Sequence, residues 1–234
     1  MHPGRSFPDR LTPPRNVGST IATRKPPAVS PVPGPALALL QLSDVPFGLR
    51  ALDALIKEAE VELVQRGTVQ CGHYLIAFAA ELEPVQRSFA RARAAASSAV
   101  WDAVLLPDAE PRIVPAFRGA RLGWPAAGDA LGVVQTASCP ALLASLDAAL
   151  KGAEVELVEL RLADGLGGKA IATLWGEIQD VQAATELGRA AFDRHVAHWG
   201  RVGDGASFVV IPNADEETKK AVSGGTRFFG EWRG

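Results

Sequence analysis

The feature that most constrains this chain is that it writes one pattern twice. "LDALIKEAEVELV" begins at residue 52 and "LDAALKGAEVELV" at residue 146, and ten of the thirteen aligned positions are identical. Amphipathic patterning alone does not produce that degree of identity, so the two stretches are copies. The correspondence runs on: Glu81, Val85 and Gln86 answer to Glu177, Val181 and Gln182, and "VLLP" at 104–107 answers to "VVIP" at 209–212. A whole domain has been duplicated, so the chain must fold as two versions of one plan.

Each copy spells that plan in the same order. A mainly apolar run, "ALALLQL" (36–42) or "ALGVVQT" (130–136), predicts a buried strand. Ser43 and Asp44, or Ser138, can then cap a helix whose first turn tolerates Pro46 or Pro140. Leu49, Leu52, Leu55, Ile56 and Ala59 mark the expected buried face of the first such helix. Leu143, Leu146, Leu150 and Ala153 do so in the second. "VELV" opens a second strand, a loop follows, and "YLIAFAA" (74–80) or "AIATLWG" (170–176) returns as a third. A second helix is expected over 83–99 or 178–199, and a last strand over 103–107 or 207–212. The order β-α-β-β-α-β is an α+β plan in which helices cover an antiparallel sheet.

This reading divides the chain into a Pro-rich arm without spaced apolar residues (1–35), repeat 1 (36–118), a Gly/Pro linker (119–129), repeat 2 (130–222) and a Gly/aromatic tail (223–234). With 47% hydrophobic residues each repeat can build a core. A net charge of −2 argues against general affinity for nucleic acid. No apolar run reaches the roughly eighteen residues of a membrane span. Cys71 and Cys139 occupy non-equivalent places in the repeats and suit a reducing cytoplasm better than a disulfide framework.

Catalytic signatures are missing. The sequence has no Gly-x-Ser-x-Gly, no His-Glu-x-x-His and no Cys-x-x-Cys. "DGLGGKA" is not a phosphate loop, because Ala163 stands where the first glycine belongs and Ala170 where a magnesium-binding hydroxyl belongs. His195 and His198, with Asp193 nearby, could share a helix face as metal ligands. An exposed helix end explains them without a metal and is the preferred reading.

Taken together, "ALGVVQT", "SLDAALKGAEVELVELRLADGLGGKAIATLWGEIQDVQAA" and the diverged first copy resemble the bacterial microcompartment shell domain over about residues 36–222. The motif order is that of the unpermuted domain, and the duplication is that of its tandem, trimer-forming class. The resemblance implies a facet tile: a homotrimeric pseudohexamer with a central pore for small metabolites. It would assemble with other shell proteins in the bacterial cytoplasm and would be no enzyme. It implies that the loops between the second and third strands line the pore, namely Gln70, Cys71, Gly72 and His73 in repeat 1 and Gly165, Leu166, Gly167 and Gly168 in repeat 2. It places Lys57 and Lys151 at the tile edge, where a local i,i+4 pair with Asp53 or Asp147 is the alternative.

Two departures stand out. The family's "Pro-Arg-Pro-His" after the last strand reads "PDAEPR" (107–112) and "PNADEE" (212–217). The sequence before the last strand of repeat 2 is also longer. No cofactor is expected of a plain tile. Some tandem relatives hold a 4Fe–4S cluster on the three-fold axis through a cysteine in the first pore loop, which would make the chain an electron-transfer module. Those relatives read Cys-Pro-Gly, whereas here Cys71 directly precedes Gly72 and Gln70 takes the cysteine's place. A small-molecule-binding regulatory trimer outside any shell is the third possibility.

Overall fold

The computed structural model describes residues 36–117, 127–199 and 205–226. The Pro-rich arm, residues 118–126 around the linker, residues 200–204 in the longer segment before the last strand of repeat 2 and residues 227–234 of the tail lie outside the described residues.

Repeat 1 runs β1 (Ala36–Leu42), α1 (Val45–Glu58), β2 (Glu62–Thr68), β3 (Tyr74–Ala80), α2 (Leu82–Ala96) and β4 (Val100–Leu106), followed by a short α3 (Ile113–Phe117). Repeat 2 runs β5 (Ala130–Thr136), α4 (Cys139–Gly152), β6 (Glu156–Leu162), β7 (Ala170–Gly176), α5 (Ile178–Trp199) and β8 (Ala206–Pro212), followed by α6 (Glu216–Ser223). The β-α-β-β-α-β order is present in both copies. Each forms a four-stranded antiparallel sheet, ordered β2-β3-β1-β4 and β6-β7-β5-β8. A bulge interrupts the second strand at the same place in each copy, between Leu63 and Gln65 and between Leu157 and Glu159.

Local chemistry starts the helices as expected. The Asp44 carboxylate accepts from the Phe47 N–H at 2.9 Å and Ser138 Oγ from the Ala141 N–H at 3.3 Å. Each satisfies a donor that the first helical turn leaves free.

The mainly apolar run of β1 is explained by burial on both faces. Ala36, Ala38, Leu40 and Leu42 pack with Ala51, Leu55, Val85 and Ala92 of the repeat's own helices. Leu37 and Leu39 point the other way, into a second core that also holds Val104 and Leu106 of β4 and Leu142, Leu143, Leu146 and Leu150 of α4. Repeat 2 thus covers the back of the repeat 1 sheet. At roughly 1.5–3 kcal/mol per fully buried Leu or Val, this shared core is a major source of stability.

Several expectations need correcting. On α1 the buried positions are Gly48, Ala51 and Leu55, whereas Leu49 and Ile56 are each 51% exposed. Helical spacing identifies apolar positions but not which surface covers them. The second helix of repeat 1 stops at Ala96, where Ser97 adopts a positive φ of 52°. A single turn over Ser97–Ala99 follows, and β4 begins at Val100 instead of Ala103. His195 does not sit at an exposed helix end: it is buried against repeat 1. Helix α3 is apolar but only five residues long, and α6 is mostly charged, so neither shows a helical period in the sequence. Val222 of α6 nevertheless joins Leu131 and Trp175 on the back of the repeat 2 sheet, and the Lys219 ammonium lies 5.1 Å over the Trp175 ring.

Candidate functional site: paired loops and an inter-repeat seam

The two loops expected to act together lie side by side. Loop 1 connects β2 to β3 and is closed by the Val69 N–H donating to the His73 carbonyl at 2.8 Å. Loop 2 connects β6 to β7 and is closed by the Ala163 N–H donating to the Lys169 carbonyl at 2.9 Å. Both need left-handed backbone. Loop 2 meets that need mainly with glycine, at Gly165, Gly167 and Gly168 (φ 72°, 62° and 86°). Loop 1 places Cys71 itself at φ 65°, a conformation costing a non-glycine residue about 1–2 kcal/mol.

Hydrogen bonds tie the loops together. Gln70 Oε1 accepts from the Gly167 N–H at 3.2 Å. Behind them, fully buried Gln41 uses both ends of its amide. Its Oε1 accepts from the Cys139 N–H at 2.9 Å, which turns its Nε2 toward His73 Nδ1 at 2.8 Å and the Gly168 carbonyl at 3.3 Å. Nδ1 is therefore the acceptor, and the ring is neutral with its proton on Nε2. Partial burial also pushes the His73 pKa below its ordinary value. The ring lies 5.2 Å from Trp101. Gln70, Cys71, Gly72, Gly165 and Gly167 are exposed, His73 and Leu166 half-buried, and Gly168 buried.

A polar joint lies on the seam between repeats. Asp102 of β4 is fully buried. It accepts from Ser138 Oγ at the α4 N-cap, from its neighbour's N–H (Ala103, 2.8 Å), and pairs with His195 Nε2 at 2.9 Å. The three side chains resemble a nucleophilic triad in kind but not in wiring. Asp102 stands between serine and histidine, so the imidazole cannot take the serine proton. Beside it, burial and then the Asp102 charge push the Cys139 thiol up, so this sulfur is not a nucleophile. Sequence reasoning missed Gln41 and Asp102, one inside an apolar strand and the other at the start of one. Among the described residues no group of three or more His, Cys, Asp or Glu in one chain could hold a metal ion.

The two candidate edge lysines are equivalent in sequence and differ in surroundings. Lys57 pairs with Asp53 at 2.7 Å, and both side chains are largely exposed. Lys151 pairs with Asp147 at 2.8 Å and also donates to the Asp108 carbonyl, while Asp147 accepts from the Glu110 N–H at 2.8 Å. Arg112 extends the clamp by donating to the carbonyls of Val155 (2.6 Å) and Leu150 (3.0 Å) and to Glu110 (2.7 Å). Burial opposes ionisation of Glu110, but Arg112 and Lys151 outweigh it and hold the carboxyl below its usual range. The segment after β4 is thereby clamped onto α4.

Comparison with known proteins agrees with this architecture. The BMC domain matches residues 36–109 and again 130–214. The bacterial microcompartment shell protein PduT of Citrobacter freundii is 31% identical over 152 residues, spanning 65% of this chain and 82% of that protein. The carboxysome shell protein CcmK3 of Synechocystis is 34% identical over 87 residues, 37% of this chain and 79% of that protein. A crystal structure of a microcompartment protein from Desulfitobacterium hafniense superposes with a TM-score of 0.66 at 29% identity, covering 79% of this chain and 98% of that one.

Proposed function

Because the chain belongs to the BMC-domain family of microcompartment shell proteins and carries two such domains in tandem, we propose that it is a facet tile of a bacterial microcompartment shell. Three copies form a pseudohexamer whose central pore, lined by loops 1 and 2, passes small metabolites. The observation that carries this is the seam. Repeat 2 buries α4 against the back of the repeat 1 sheet, with Leu143 0% and Val104 7% exposed. The same positions on the chain's free ends are open: Leu49 of α1 is 51% and Val209 of β8 is 49% exposed. Each chain thus holds one complete seam and the two halves of another. A head-to-tail contact of this kind closes into a ring when the rotation fits, and six domains close with three chains.

A tile needs no catalytic group, and the buried Asp102 joint serves the seam. Loop 2 brings exposed glycine backbone at Gly165 toward small polar or anionic solutes, while the Gly167 N–H is held by Gln70. Light scattering should give particles of three 24.6 kDa chains, and overexpression should give sheets or tubes. A stable monomer at all concentrations overturns the reading.

Cys71 supports a second reading. It is exposed at the tip of loop 1, whereas Cys139 is buried. Three copies around one axis would supply three thiolates to a 4Fe–4S cluster, making the tile an electron-transfer element. Anaerobic purification with iron supplied tests this: absorbance near about 400 nm that disappears in Cys71→Ser establishes the cluster. A colourless, iron-free trimer rejects it.

A further inference from the structure

The complete seam inside the chain specifies the chemistry of the one between chains. Within the chain, β4 presents Asp102 and the α4 N-cap presents Ser138, and the hydroxyl donates to the carboxylate. The repeats align β4 with β8 so that Pro107 meets Pro212 and Asp102 meets Ser207. They align β1 with β5 so that Leu42 meets Thr136 and Ser138 meets Asp44. The copy therefore carries the same two groups with their positions exchanged: serine on the strand and aspartate at the helix cap. Ser207 is exposed and Asp44 half-buried. One oxygen of Asp44, Oδ1, takes the Phe47 N–H, and Oδ2 is left to accept from outside.

The exchange has a physical reason. A carboxylate at Asp102 is buried, and His195 supports it from the last turns of α5. Repeat 1 has no such support to offer, because α2 has 15 residues against 22 in α5 and ends at Ala96. A carboxylate buried on β8 would lack that imidazole and would carry a heavy desolvation cost. At the α1 N-cap it instead meets free N–H groups and the positive end of the helix dipole.

We propose that Ser207 of one chain donates a hydrogen bond to Asp44 of the next. This polar joint fixes the register of the inter-chain seam, with Val209 entering the apolar patch of Leu49 and Ile56. The occupant of that surface is a second copy of this chain, because the internal seam already shows the complementary surfaces joined. The inference rests on the trimer reading above.

The test uses the full chain and its trimer dissociation constant, measured by mass photometry on dilution. Ser207→Asp sets two carboxylates face to face and should weaken the trimer by about tenfold or more. Adding Asp44→Ser recreates the internal pair with its original polarity, and serine still caps α1, so the double variant should recover part of the lost affinity, stopping short of the unmodified chain because repeat 1 brings no imidazole to the strand carboxylate. Ser207→Ala alone, which introduces no charge, should weaken the trimer several-fold. It should have no further effect on an Asp44→Ala background. A trimer that Ser207→Asp leaves intact, or that the double variant does not rescue, overturns the joint while leaving the tile reading standing. An unmodified chain that never forms a trimer removes both.

Discussion

The Gln41 amide and the His73 ring, 2.8 Å apart, couple a buried strand to an exposed loop. Through the same side chain they reach the Gly168 carbonyl of the other loop and the first N–H of α4. One glutamine therefore sets the relative position of both candidate pore loops and one helix. Replacing it with the similarly sized leucine strands the Cys139 N–H and the Gly168 carbonyl. Gln41→Leu should cost about 1–3 kcal/mol in urea unfolding, with faster amide exchange at Gly167 and Lys169.

This contact requires neutral His73, which gives it a pH dependence of defined sign. The folded pKa is lowered by burial, so the unfolded chain binds the proton first. The contribution is fully present above the unfolded value of about 6.5 and is lost as pH falls through it toward the folded value. Unfolding measured between about pH 7 and pH 5 should show this loss. His73→Asn can keep an acceptor toward Gln41 without a titrating group and should flatten that part of the profile. An unchanged slope in the variant would assign the titration elsewhere.

The lysines separate tiling from folding. Lys57→Asp alters an exposed pair and should change stability by no more than about 0.5 kcal/mol. If α1 meets neighbouring tiles, sheets should disappear from overexpressing cells. Lys151→Asp sets a carboxylate beside Asp147 and releases the Asp108 carbonyl. It should therefore cost about 1–2 kcal/mol in the single chain before any assembly is considered.

Residues 1–35 precede the first buried strand, and Ala36 opens β1 already fully covered. Deleting them should leave the melting temperature within about 2 °C of the full chain. A larger fall would show that the arm packs on the body.

What was legible in the sequence is what local chemistry and repetition encode. Asp44, Ser138 and the two prolines start their helices from the first few residues alone, and identity between copies fixed the order of elements. The face of α1 was misjudged because Leu49 and Ile56 are as apolar as Leu55, and spacing says nothing about what lies opposite. Gln41 has Gln135 at the same place in the other copy, which marks the position, but its role depends on partners 32, 98 and 127 residues away that only the fold brings to it. His195 was assigned to solvent for the same reason: its partner Asp102 belongs to the other repeat, 93 residues earlier. The apolar part of the seam repeats between copies, as in Leu49 and Leu143, but its polar joint is written in residues that differ, Asp102 against Ser207 and Ser138 against Asp44, and comparing the copies reads past these.

The bulge shared by β2 and β6 bears on ancestry. An irregularity at the same step of the same strand in both halves points to an origin in a single domain, before the gene doubled. Since then the two loops that these strands lead into have diverged almost completely, one toward Gln-Cys-Gly-His and the other toward Gly-Leu-Gly-Gly. Their launching geometry has not moved. The bulge thus behaves as an inherited mount and the loop as an exchangeable fitting. Loops transplanted between members of the lineage should be cut after the bulge, so that each arrives on a strand already twisted to aim it.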